Sequence, residues 1–215
     1  MRDIYSQTWR VIVWLGEDEA NDAITAIRII EKAADYCYAD VNASNEDGED
    51  LDRKLQTEQL DFELPWSEKK RERDFPPLKR DPRVSNGTEW AAVSRLFSNT
   101  WFTRIWIVQE VAFAPTVMYV GAHAVTWTRV AAAAKWLLAK SYTFVVQDSA
   151  RYRQAWLIYY LHLIQPPLPL YKLLSFIKSN STDPRDKIFA LLGFMDQESR
   201  ASPFLQPNYS ARLYI

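Results

Sequence analysis

The chain has 215 residues, enough for one domain with a sizeable core. Hydrophobic residues make up 48% and charged residues 25%, the balance of a globular protein rather than of a disordered or membrane-embedded one. A net charge of -1 supplies no general pull toward nucleic acid or anionic lipid, so neither is an expected partner. A single cysteine, Cys37, excludes an internal disulfide and suits a reducing compartment. The first residues, MRDIYSQTWR, lack the apolar centre of a secretory signal, and no apolar stretch is long enough to cross a bilayer, so a cytoplasmic protein is expected. Five glycines, with neither G-x-G-x-x-G nor G-x-x-x-x-G-K among them, argue against a standard phosphate loop.

In chain order, the apolar run VIVWL (11–15), ended by Gly16, predicts a fully buried strand. A helix is predicted over 20–34, with Asp18 as its N-cap and Ile24, Ile27 and Ile30 on one face. Strand then helix across a short acidic turn is an α/β signature. From about 40 to 87 the chain is first acidic and then basic, poor in apolar residues, and predicts a flexible charged insertion with one short helix near 51–60. The basic part is better explained as a solvated loop than as a phosphate site. Thr88 should cap a helix that carries Trp90, Val93 and Phe97 on one side. Asn99-Thr100 should break it and start a second helix over 101–114, stopped by Pro115.

Residues 117–120 predict a strand that pairs with 124–127 through the Gly-Ala-His turn. Further helices are expected at about 129–140, 150–163 and 170–178. The segment 183–193 predicts one continuous helix, with Asp183 as N-cap, Pro184 in first position, Asp186 in the first turn and Gly193 closing it. The tail from Gln206 predicts extended chain that stops without a terminator.

Three segments carry a resemblance when taken in order: VIVWLGE (11–17), WFTRIWIVQEV (101–111) and DPRDKIFALLG (183–193), with PNYS (207–210) after the last. Together they resemble the later blocks of the fungal heterokaryon incompatibility (HET) domain. The family more often has an aspartate where Asn208 stands. Its usual opening segments, around Leu-Ser-Tyr-x-Trp-Gly and Trp-Ile-Asp-x-x-Cys-Ile-Asn-Gln, are not found, so 1–215 resembles a partial HET domain, incomplete on the N-terminal side. The resemblance implies a TIR-like, flavodoxin-like sheet flanked by helices in a helix-rich α/β unit. It also implies a role in non-self recognition and programmed cell death. Without the front strands, an edge and an apolar face around 11–15 should be exposed.

On that resemblance the motif or interface residues are Trp14, Gly16, Trp101, Arg104, Trp106, Gln109, Asp183, Arg185 and Asp186. The implied mode of action is self-association or protein partnering, with the aromatic helix pair as the interface. Some TIR relatives cleave the nicotinamide–ribose bond of NAD, which needs a carboxylate beside an oxocarbenium-like centre. NAD is therefore the substrate of the enzymatic alternative, and Glu110 and Glu17 are its candidate catalytic groups. On a continuous helix Glu110 would lie one turn beyond Trp106 and share a face with Thr103 and Phe113. Glu17 follows a strand end, where α/β sheets place ligand contacts.

A structural explanation competes at each position. Glu110 suits a helix surface, and Glu17 suits the start of a helix. Trp14, Trp101 and Trp106 suit the core between sheet and helices. Arg104 can hold a phosphate, pair with a carboxylate or stack on an aromatic ring. Capping accounts for Asp183 and Asp186 and leaves Arg185 over. His123, His162 and Cys37 lack metal-ligand spacing, and no metal or resident cofactor is indicated. An inactive truncated copy is the remaining alternative.

Overall fold

The computed structural model describes residues 4–5, 7–44, 87–139, 149–163, 167–176 and 181–210. Most of the charged insertion, including the helix expected near 51–60, lies outside the described residues.

The described part is a helix-rich α/β structure built on a small mixed sheet of order β1-β2-β3. Strand β1 (Val11–Trp14) runs parallel to β2 (Thr116–Val120), with Val13 opposite Met118. Strand β3 (His123–Thr126) returns antiparallel, with Val120 opposite His123 and Val125 opposite Met118. The two-residue turn between them, Gly121-Ala122, has Gly121 at φ 52°, so the expected hairpin forms where glycine allows a left-handed residue. Gly16 ends β1 at φ 113°, and its carbonyl accepts the Gly121 N–H at 2.9 Å.

Alternation within the strands decides which face is covered. Val13, Met118 and Val125 are buried in one row across the sheet. The opposite face carries Ile12, Trp14, Val117, Tyr119, Ala124 and Thr126, none of them buried. Ile12 is 67% and Trp14 56% exposed, so the expectation of a fully buried first strand is corrected. A continuous apolar run reads as buried on both faces, yet among the described residues β1 lies at the edge of the sheet and its second face meets solvent. Trp14 accordingly does not belong to the core. Among the described residues no strand pairs with the outer edge of β1, and the apolar face expected around 11–15 is exposed at Ile12 and Trp14.

Two helices cover the inner face. Helix α1 (Ala23–Ser44) begins where Asp18 accepts from the N–H groups of Asp22 and Ala23 at 3.0 and 3.2 Å, the capping role expected of it. Ala26, Ile27, Ile30, Ala33, Ala34 and Cys37 form its buried stripe, whereas Ile24 lies outside it. The helix runs well past residue 34 because its second half also has a partner, with Tyr36 stacked on Trp136 at 5.4 Å. Trp136 belongs to α4 (Trp127–Ala139), whose Val130, Ala131, Ala133 and Ala134 are fully buried. Arg129 of α4 bonds Glu31 and reaches Asp35 of α1 at 2.6 Å.

Helix α2 (Gly87–Ser98) buries Trp90, Val93 and Phe97 as expected. The single helix expected over 101–114 is not formed. A 3-10 turn (Thr100–Thr103), capped by the Asn99 side chain on the Trp101 N–H at 2.9 Å, gives way to an extended Arg104 (φ -75°, ψ 137°). Helix α3 (Ile107–Ala112) then starts afresh. The break lets the adjacent Trp101 and Phe102 both enter the core, with ring planes at 84°. Helices α5 (Ser149–Leu163) and α6 (Leu170–Phe176) follow.

The segment 183–193 is likewise not one helix. It forms a short α7 (Asp186–Phe189) and a 3-10 turn (Leu192–Phe194) before α8 (Gln197–Ala201). The Ala190 carbonyl, which a continuous helix would use internally, instead accepts the Gln109 side-chain amide at 2.8 Å.

Gly16 supplies a test of this geometry. A Cβ there meets nothing within 4 Å, so Gly16→Ala probes the positive φ alone. Destabilisation by about 1–3 kcal/mol is expected in chemical denaturation. An unchanged unfolding midpoint would contradict the left-handed turn.

Candidate functional site

The motif residues fall into three places. At the carboxyl end of β1, Gly16 closes the strand, and Glu17 is exposed beside Asp18, Asp22 and Arg95 along a shallow recess. Arg95 pairs with Asp22, which ties α2 to the start of α1. Asn99, which the motif reading passed over, donates its side-chain amide to the Leu15 carbonyl at 2.7 Å and fixes the strand end to the start of the 3-10 turn.

The second place is the amino end of the same strands. There the half-buried Glu110 accepts from the Trp101 indole N–H at 3.3 Å. On a continuous helix two residues nine apart would face opposite sides, about 13 Å apart along the axis, so this bond exists only because the chain breaks at Arg104. Thr103 therefore does not share a helical face with Glu110. Tyr5 lies close enough that its phenol is held above the usual range, first by burial and then by the Glu110 charge, with Arg104 opposing. Arg104 itself is exposed and extended. The Glu110 carbonyl lies beside Thr116, which pairs with Val11, whereas Glu17 lies beyond Leu15. Four strand residues, roughly 13 Å, separate the two ends, so the structure does not bring the two candidate carboxylates together. Trp101 and Gln109 are 7% and 2% exposed, so of the interface residues expected on the aromatic helix pair only Arg104 and part of Trp106 reach the surface.

The third place joins the last two motif blocks. Asp183 accepts from the Arg185 backbone N–H and from its guanidinium, at 2.9 and 2.6 Å. The same guanidinium donates to the Tyr209 carbonyl at 2.8 Å and sits over the Tyr209 ring at 5.1 Å. Tyr209 donates its hydroxyl to Asp186 at 2.6 Å and packs edge-on to Phe189. Arg185, left over by capping, is thus the centre of a clasp that holds PNYS against DPRDK. Asn208 accepts from the Ser210 N–H at 2.9 Å, a local turn that its carbonyl oxygen makes in place of a carboxylate. Bonding to Arg185 lowers the Asp183 pKa below its ordinary 3.8. The bond to Asp186 comes first among the causes that push Tyr209 from 10.0 to about 12.

Trp106 and Gln109 face the clasp across a cavity of about 640 Å³ that also touches Phe189, Arg200, Leu205 and Tyr209. Among the described residues no group of three or more His, Cys, Asp or Glu is placed to hold a metal, and no helix is long and apolar enough to cross a membrane.

A sequence profile of the heterokaryon incompatibility protein (HET) family matches residues 1–110, half of the chain. The chain belongs to the HET family. The matched HET region includes β1, α1, α2 and the Trp101–Glu110 pair and ends within α3. The clasp lies outside it and is joined to it through the bond from Gln109 to Ala190. No curated protein and no solved structure matches this HET chain.

The clasp should have a defined pH window. Tyr209 has its pKa raised on folding, so its contribution is complete below pH 10.0 and is lost as pH rises through about 12. Asp183 has its pKa lowered, so its contribution is present above 3.8 and is lost as pH falls through the lowered value. A carbon-13 titration of the Tyr209 ring should give a midpoint near 12. A midpoint at the ordinary value would mean that the bond to Asp186 does not form.

Proposed function

We propose that this HET-family chain is a self-associating interaction module in fungal non-self recognition and programmed cell death, acting in the cytoplasm. In this reading 1–215 is one TIR-like HET domain, and the charged stretch at about 40–87 is an insertion in it. Family membership supports heterokaryon-incompatibility-type function in general terms. The observation that carries the self-association reading is the open sheet face. Ile12 and Trp14 project side by side from a strand whose outer edge pairs with none of the described residues, with Trp9, 82% exposed, just before it.

Such an edge is a ready template for another strand. Two β1 strands meeting about a twofold axis would run antiparallel and make one continuous sheet of both copies. Across that seam Ile12 and Trp14 of the two copies become cross-strand neighbours, each pair contributing about 0.2–1 kcal/mol. The cost of association is larger, so the new strand hydrogen bonds would supply most of the driving force. The NAD-cleaving alternative draws on Glu110, half-buried beside Trp101. Its support is weaker, because α/β sheets bind ligands at the carboxyl ends of their strands and Glu110 lies at the amino ends.

Sedimentation across a concentration series tests the reading. The native chain should form a defined oligomer, and Ile12→Lys or Trp14→Lys should be monomeric with an unchanged fold. A native chain that stays monomeric throughout, or charged variants that associate as well as it does, would reject the proposal.

A further inference from the structure

The cavity beside the clasp has features that neither self-association nor the NAD-cleaving alternative uses. Its volume, about 640 Å³, lies within the usual span of small-molecule sites, roughly 300–1,000 Å³. Trp106, Phe189, Leu205 and Tyr209 give it largely aromatic and apolar walls. Neither Glu17 nor Glu110 lines it.

Two polar groups give the cavity direction. Gln109, 2% exposed, lines it and donates its side-chain N–H to the Ala190 carbonyl at 2.8 Å. That bond fixes the amide orientation, since the reverse would set two oxygens against each other. The Gln109 Oε1 atom is consequently buried with no hydrogen-bond partner. A buried carbonyl oxygen without a donor is uncommon in folded proteins and calls for an explanation. At the rim, the exposed Arg200 donates one N–H to the Gly193 carbonyl at 3.0 Å and makes no ion pair with any described residue. The remaining guanidinium N–H groups are well suited to a carboxylate or phosphate.

We propose that this cavity binds a planar aromatic molecule that carries an N–H or O–H donor and an anionic group. The donor bonds Gln109 Oε1 once the wall atoms that cover it give way, the ring lies among Trp106, Phe189 and Tyr209, and the anion is held by Arg200. Part of the wall is the PNYS strap, which Arg185 and Asp186 hold in place, so occupancy also tightens the clasp. The inference is independent of the self-association reading, because it uses no residue of the open sheet face.

Calorimetric titration of the full chain with indole-3-acetate tests it, since that probe has the ring, the N–H and the carboxylate. Two further probes remove one feature each: 1-naphthaleneacetate has no ring N–H, and 3-methylindole has no carboxylate. Saturable one-to-one binding of indole-3-acetate is expected, with both other probes weaker by about fivefold or more. Gln109→Leu should abolish the preference for the N–H probe. That variant also loses the Ala190 bond and can fail to fold, so the exposed Arg200→Ala is the companion. It should weaken both carboxylates by about fivefold and leave 3-methylindole unchanged. Absence of saturable heat, equal affinity for the three probes, or an Arg200→Ala affinity equal to the native value would overturn the proposal. Loss of binding in Trp14→Lys would overturn it too, because the probe would then sit on the sheet face.

Discussion

The packing of α1 and α4 on one face of the sheet is the contact on which the rest of the molecule depends. Alanines at 26, 33 and 34 in α1 and at 131, 133 and 134 in α4 are all buried. Small side chains let helices approach closely, and they leave the bulk of the core to Val13, Met118, Val125 and the neighbouring aromatic rings. A layer built this way covers one face of three short strands and is satisfied by it. The other face keeps Ile12 and Trp14 at the surface, so the apolar material that a second helical layer would cover is offered outward.

Polar side chains in and beside the motifs act mainly as joints in this fold. Asn99 ties a strand end to a turn, Gln109 takes a carbonyl that a helix would otherwise use, and Arg185 gathers the last block through two backbone carbonyls. Buried or half-buried backbone groups need partners, and these side chains supply them where regular structure stops. The same logic applies to Trp101 and Glu110, whose bond bridges two short turns that the sequence writes as one helix. A carboxylate held by an indole N–H fits a structural role as readily as a chemical one.

Local signals in the sequence were legible where the physics is local. Asp18 at the start of α1, the Gly121 turn, and Trp90, Val93 and Phe97 on one side of α2 follow from capping, positive φ and helical spacing alone. What was not legible depends on partners distant in the chain. The run at 11–15 cannot announce that one of its faces stays uncovered, since its composition is apolar on both. The break at Arg104 follows from placing Trp101 and Phe102 in one aromatic cluster with Trp127, 5.6 and 6.4 Å away. The length of α1 depends on Trp136, about a hundred residues later. Tyr209 was visible within the PNYS block, but its bond to Asp186 was not, because capping already accounted for that aspartate.

The central claim is that β1, whose outer edge no described residue pairs, is completed by another chain. The Val11 and Leu15 N–H groups bond to the β2 side at 2.9 Å, so in a parallel ladder the N–H groups of Ile12 and Trp14 point away from it. Amide hydrogen exchange read residue by residue at low and high protein concentration addresses this directly. The account predicts that Val13 and Leu15 are protected throughout, whereas Ile12 and Trp14 exchange freely when dilute and become protected on association. Protection of Ile12 and Trp14 in the dilute monomer would contradict it, because the edge would then already be covered by the chain itself.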